Sequence, residues 1–126
     1  MNEKQDPILV VDNEPEMCWI LENIIRRMGL ACMTALSAGE AIALTKSNQF
    51  GMAFLDAKLP DIDGFELARK LLKTNASLPI VIVSGYFYQD DPTIDRALQE
   101  GLIAAFVGKP FDHDAIVSVI TRYVRR

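Results

Sequence analysis

Five times along the chain a short apolar run gives way to a helical pattern, and no other feature restricts the fold as much. "PILVVD" opens the series with Ile8, Leu9, Val10 and Val11 in an unbroken row. A half-exposed strand would alternate apolar and polar residues, so this run reads as a strand buried on both faces. After it, Met17, Ile20, Leu21, Ile24, Ile25 and Met28 recur at three- and four-residue spacing, one face of a helix. Pro15 suits that helix's first turn, and Gly29 stops it.

The pattern repeats with local signals of its own. "ACMTAL" is a second, weaker strand, and Ser37 with Glu40 has capping-box spacing for a helix from about Ala38 to Ser47. "GMAFLD" is the third strand. Asp63 and Glu66 again have capping spacing, opening a helix with Phe65, Ala68, Leu71 and Leu72 on one side. "LPIVIVS" is the fourth and clearest strand, followed by a helix from roughly Pro92 to Glu100 that Gly101 ends. The fifth strand is "IAAFVG", and Asp112 caps a last helix whose apolar face is Ile116, Val119, Ile120 and Tyr123.

Strand–helix units with short connections imply a parallel sheet covered by helices on both faces, an α/β fold. With 126 residues and no internal linker, repeat or low-complexity tract, residues 1–126 read as one domain. In such sheets ligands bind outside the carboxyl ends of the strands. There the first strand ends in Asp12-Asn13-Glu14, the third in Asp56, the fourth in Ser84 and the fifth in Lys109-Pro110. Helix capping accounts for any one of these acids or hydroxyls. It explains neither the lysine after the fifth strand nor the acid that directly ends the third.

Phosphoryl transfer accounts for them together. A carboxylate can act as nucleophile and form an aspartyl-phosphate. Its approach to an anionic phosphoryl group requires positive charge, which oxygen-ligated Mg²⁺ usually supplies. A lysine adds a second charge and a serine hydroxyl can donate to a phosphoryl oxygen, so catalysis is mostly positioning and electrostatics. Asp56 as nucleophile, the acids after the first strand for the metal, and Lys109 with Ser84 meet each requirement once.

The blocks "ILVVDNEP", "FLDAKLPDIDGFEL", "IVIVSG" and "FVGKPF" resemble, in order and spacing, the signature blocks of two-component response regulator receiver domains. The likeness runs over essentially the whole chain. It implies a CheY-like, flavodoxin-like (βα)5 three-layer sandwich with strand order 2-1-3-4-5. It implies that Asp56 accepts a phosphoryl group from a sensor histidine kinase or phosphotransfer protein. It places Mg²⁺ on Asp12, Asn13, Asp56 and the Lys58 backbone carbonyl, with Glu14 a further candidate. The switch hydroxyl falls on Ser84, the switch aromatic on Phe106 and the active-site lysine on Lys109. The Lys109-Pro110 bond is expected to be cis. The implied protein is a cytoplasmic, self-phosphorylating and self-dephosphorylating regulator rather than a turnover enzyme. Its surface of helix 4, strand 5 and helix 5 would act on an output domain or effector protein, with a phosphorylation-dependent dimer left open.

Several positions depart from the family pattern. Asn13 stands where a second acid is usual, so weaker Mg²⁺ binding is expected unless Glu14 compensates. Asn13 alone favours the alternative of a pseudo-receiver, an interaction module without phosphoryl transfer. Phe106 replaces a frequent tyrosine. Lys58 and Tyr86 are bulky residues at the two positions that, in the family, modulate water's access to the phosphoryl group, and they imply slow self-dephosphorylation. Tyr86, Phe87 and Tyr88 either pack on their own helix or form a partner surface.

Other motifs carry less. "DIDG" fails as a dehalogenase-type phosphatase motif, since Asp61 lies five residues after Asp56, and as a calcium loop, since Leu59 stands where an acid is needed. Asp61 reads as a solvated loop acid, His113 as a solvated helix-start residue and Trp19 as a packing residue. "DNEPEM" has acids where a flavodoxin would cradle phosphate. The net charge of −4 argues against direct nucleic-acid binding. No run approaches the ~18 apolar residues of a membrane span, and "MNEKQDP" lacks a signal's apolar segment. Cys18 and Cys32, with a single histidine, give no zinc spacing and read as reduced thiols.

Overall fold

The computed structural model of the protein describes residues 6–87 and 90–124. The elements follow in the order β1 (Ile8–Val11), α1 (Pro15–Arg27), β2 (Cys32–Ala35), α2 (Ala38–Thr45), β3 (Met52–Asp56), α3 (Gly64–Thr74), β4 (Ile80–Ser84), α4 (Pro92–Gln99), β5 (Ala105–Gly108) and α5 (His113–Tyr123). The strands form one sheet in the order β2-β1-β3-β4-β5, every pair parallel. This is the flavodoxin-like α/β topology expected from the sequence.

Strand alternation divides the core into two layers. Leu9, Val11, Ala53, Leu55, Ile80 and Ile82 face one side, where Ala38 and Ala41 of α2, Leu67 and Leu71 of α3, and Ile94 and Ala97 of α4 cover them. Ile8, Val10, Met52, Phe54, Val81 and Val83 face the other, under Leu21 and Ile25 of α1 and Ile116 and Ile120 of α5. β1, β3 and β4 are buried along their whole length, so apolar residues are needed at every position and the alternation disappears.

The helix ends follow the local signals. Ser37, Asp63 and Asp112 each accept the backbone N–H three residues on, from Glu40, Glu66 and Ala115. Gly29 and Gly101 end α1 and α4 with φ of 82° and 77°, a left-handed turn that glycine enters without a Cβ penalty. Three readings are corrected. α2 stops at Thr45 rather than Ser47. In α1 the buried stripe centres on Cys18, Leu21, Ile24 and Ile25, which turns Ile20 outward. Trp19, read as a packing residue, is 65% exposed because it sits one position off that stripe.

Candidate functional site

Strand register gathers the polar residues. Val11 lies level with Leu55, so Asp12 and Asp56 leave the sheet side by side. Asp56 is level with Val83 on β4, and Ser84 with Gly108 on β5. Lys109 follows Gly108, its N–H extending the ladder to the Ser84 carbonyl at 3.0 Å. The Lys109-Pro110 peptide is cis, as the resemblance implied.

The lysine stem crosses two strands. Its Nζ lies 2.8 Å from Asp12 Oδ2 and 3.5 Å from Asp56 Oδ2. Asp12 is the tightly held carboxylate: Oδ2 accepts from Lys109, and Oδ1 from the Glu14 N–H at 2.9 Å. Asp56 is loosely held. Its Oδ1 accepts from the Lys58 N–H at 3.4 Å, beyond the usual hydrogen-bond range, and its contact with Lys109 is long as well.

Burial raises the Asp56 pKa above the ordinary carboxylate value, and the neighbouring Asp12 charge adds to the rise. Lys109 and the Lys58 N–H oppose it without cancelling it. For Lys109, burial pulls the amine's pKa down, but the hydrogen bond to Asp12 and the charges of Asp12, Asp56 and Glu14 outweigh it. The net result is a lysine held charged. Buried Cys18, whose thiol donates to the Asp12 carbonyl at 3.3 Å, is pushed up to about 11, mainly by burial, and stays a thiol.

Ser84 is buried, and its Oγ accepts the Tyr86 N–H at 3.0 Å, which leaves its O–H to donate. Phe106 is buried in the same core layer as Ile94 and Ala97 of α4. Asn13 and Glu14 are exposed at the rim. Lys58 is exposed too, its Nζ 3.9 Å from the centre of the Tyr86 ring. Tyr86 meets Phe87 edge-on, and Phe87 meets Phe65 of α3 in the same way. Phe87 therefore packs onto α3, while Tyr86 remains 63% exposed. Tyr88 lies outside the described residues.

Among the described residues, no three His, Cys, Asp or Glu side chains gather as a metal site. Oxygen donors for a hard cation are nevertheless present in two adjacent carboxylates, with Asn13 and the Lys58 carbonyl following them in the chain. Two buried acids facing one amine leave an excess of negative charge, which suits a divalent cation.

Two residues escape the local sequence pattern. Asp61 is an exposed loop acid, as read from the sequence, but its carboxylate also accepts the N–H groups of Ala38 and Gly39 at the start of α2, at 3.1 and 2.8 Å. The partners lie more than twenty residues upstream, beyond any local motif. Gly64 begins α3 so close to β3 that a Cβ there would collide with the Asp56 carbonyl oxygen. Its N–H donates to the Ala57 carbonyl at 2.8 Å, locking the approach. Gly64→Ala is expected to destabilise the protein by about 1–3 kcal/mol by forcing that backbone apart. Urea unfolding tests this; an unchanged midpoint would contradict the close approach.

A family model described as the response regulator receiver domain matches residues 8–121. Among similar proteins is the DNA-binding transcriptional regulator NtrC of Proteus hauseri, 28% identical over 93% of this chain but only 24% of that protein. The response regulator protein TmoT of Ectopseudomonas mendocina is 28% identical over 95% of this chain and 53% of its own length. The chain therefore spans about a quarter to a half of these relatives. A two-component response regulator from Clostridium difficile superposes with a TM-score of 0.85 at 26% identity, over 94% of this chain and 95% of that one. TrrA of Thermotoga maritima, solved in complex with Mg²⁺-BeF, shares the fold at a TM-score of 0.80 and 24% identity, over 94% of this chain and 98% of that one.

Proposed function

The chain belongs to the response regulator receiver family of two-component signalling, and on that premise we propose that it is a phosphorylation-operated switch with Asp56 as the acceptor. The observation that carries this reading is the asymmetry of the carboxylate pair. Asp12 accepts a short hydrogen bond on each oxygen, whereas Asp56 is buried, ionisable and weakly engaged. A nucleophile needs a lone pair that is not already committed.

An Asp56 oxygen attacks the phosphorus of a phosphohistidine on a histidine kinase or phosphotransfer protein. The new P–O bond forms as the P–N bond breaks, and the imidazole nitrogen leaves with the electron pair. Mg²⁺, when bound, supplies charge that offsets the repulsion between carboxylate and phosphoryl group. Asp12, Asn13, Asp56 and the Lys58 carbonyl would hold it, with Glu14 close by in the chain. Lys109 is already charged, and its Nζ lies 3.5 Å from Asp56 Oδ2, so it can follow a phosphoryl oxygen. Ser84 donates its O–H to another oxygen.

A Ser84 that moves toward the phosphoryl group draws on Tyr86, whose N–H it accepts. That motion, with Phe106, biases the face formed by α4, β5 and α5 between two states. An output domain or effector protein would read the change. The residues from 1 to 126 are proposed to act as one receiver domain.

Incubation with Mg²⁺ and acetyl phosphate should add the mass of one phosphoryl group, mapped by fragmentation to the peptide holding Asp56. No adduct, or an adduct elsewhere, overturns the reading and favours an interaction module, the role suggested by Asn13. Asn13→Asp adds a carboxylate to the donor set and should tighten Mg²⁺ binding severalfold in a fluorescence titration; equal affinity would dismiss the cost assigned to the amide. The Lys58–Tyr86 contact is proposed to limit water's approach to Asp56. An exposed cation–π contact contributes ~0.5–1 kcal/mol, so Tyr86→Ala should shorten the phosphoryl lifetime about two- to fivefold. A wild-type lifetime of seconds, or no change in the variant, would contradict this gate.

A further inference from the structure

The first four N–H groups of a helix need partners from outside it, and those of α2 find theirs in an unusual way. Glu40 donates to Ser37 Oγ at 3.1 Å, the local cap, and Ala41 makes the first intrahelical bond, to the Ser37 carbonyl, at 3.1 Å. Ala38 and Gly39, the first two residues of the helix, donate to the two oxygens of Asp61. That residue belongs to the loop between β3 and α3, the loop that follows Asp56 and contains Lys58. Asp61 Oδ1 also accepts the Ile62 N–H at 3.0 Å.

We propose that Asp61 is a positioning residue for phosphoryl transfer: by clamping the β3–α3 loop to the N-terminus of α2, it holds the Lys58 backbone in register with Asp56. This rests on Asp56 being the phosphoacceptor. The Gly64 N–H on the Ala57 carbonyl ties the two ends of the loop to each other, while the Lys58 N–H makes a long contact with Asp56 Oδ1. Between them Leu59 and Ile62 pack against the core, and Asp61 fastens the loop to α2 by hydrogen bonds. The Gly39 and then the Ala38 N–H hold its carboxyl below the usual range, so the clamp stays charged at neutral pH.

If Asp61 served only to stabilise α2, removing the helix's own cap would have the same consequences. The test therefore compares Asp61→Asn and Asp61→Ser with Ser37→Ala. Asp61→Asn keeps the shape but replaces one acceptor oxygen by an NH₂ facing an N–H. Partners that orient metal-site groups from outside typically matter by about 10- to 100-fold. Both Asp61 variants should slow adduct formation with acetyl phosphate about tenfold and raise the Mg²⁺ concentration for half-maximal rate. In metal-free protein they should speed amide exchange at Lys58 and Gly64, neither of which is bonded to Asp61. Ser37→Ala should leave these readouts within about twofold of wild type, since it leaves the loop's anchor in place. Equal effects from the Ser37 and Asp61 variants, or none from the Asp61 variants, overturn the proposal alone. A wild type that forms no adduct overturns the phosphoacceptor reading and this proposal with it.

Discussion

Asp56→Asn is expected to abolish the phosphoryl adduct while making the protein more stable at neutral pH. The two effects share a cause. The Asp56 pKa is raised chiefly by burial and next by the charge of Asp12, so the folded chain binds that proton more tightly than the unfolded one. A raised carboxyl contributes stability that is fully present below the unfolded value, about 3.9. That stability is lost as pH rises through the folded value. At pH 7 the ionised Asp56 is thus a net burden on the fold. Asparagine fills the same space without charge, and Lys109 keeps its short contact with Asp12. The gain should be ~1 kcal/mol, screening at the site's open side included. Near this chain length that is roughly 3–5 °C in the unfolding midpoint. Melts at pH 7 and pH 4 test the sign, because the advantage should vanish at the lower pH. A destabilised Asp56→Asn at pH 7 would refute the electrostatic account, and a persisting adduct would refute the acceptor assignment.

Much of this was legible because the fold is assembled from local signals. An unbroken apolar run means a strand covered on both faces, and β1, β3 and β4 are such strands. Ser37, Asp63 and Asp112 sit at helix starts because each satisfies an N–H within three residues, a range a linear pattern captures. The convergence of Asp12, Asp56, Ser84 and Lys109 was legible too: in a parallel sheet all carboxyl ends lie on one edge, so residues ending different strands become neighbours.

The features that stayed hidden depend on side-chain rotation or on distant partners. Trp19 and Ile20 lie within a helical apolar pattern, and a turn of one residue position about the α1 axis decides which are buried. Cys18 takes the central place on α1, where its thiol reaches the Asp12 and Ala35 carbonyls. The role of Asp61 depends on α2 lying beside the β3–α3 loop, and no spacing rule connects it to Ala38. The difference between Asp12 and Asp56 is likewise three-dimensional. Both end strands, but only Asp12 sits where the Lys109 amine makes its short contact.

That same asymmetry makes Lys109→Met the most damaging single change to the site. Methionine keeps much of the aliphatic stem but leaves Asp12 and Asp56 buried together without a cation. Removing one member of a buried ion pair typically costs about 3–5 kcal/mol, far more than an exposed pair contributes. Lys109 is 16% exposed and Asp12 only 3%, so the lower end, ~3 kcal/mol or roughly 10 °C, is expected at pH 7. The amine's pKa is raised in the folded protein, so its contribution is intact at pH 7 and fades only as pH rises through that raised value. Lowering the pH should relieve the variant, because a proton on Asp56 then removes the repulsion the amine had offset. Asp56→Asn in the Lys109→Met background should recover part of the loss for the same reason, a coupling that a double-mutant cycle measures directly. Additive effects, or a Lys109→Met deficit that is the same at pH 4 and pH 7, would mean that the lysine acts through packing rather than as the counter-charge that lets two acids share one end of the sheet.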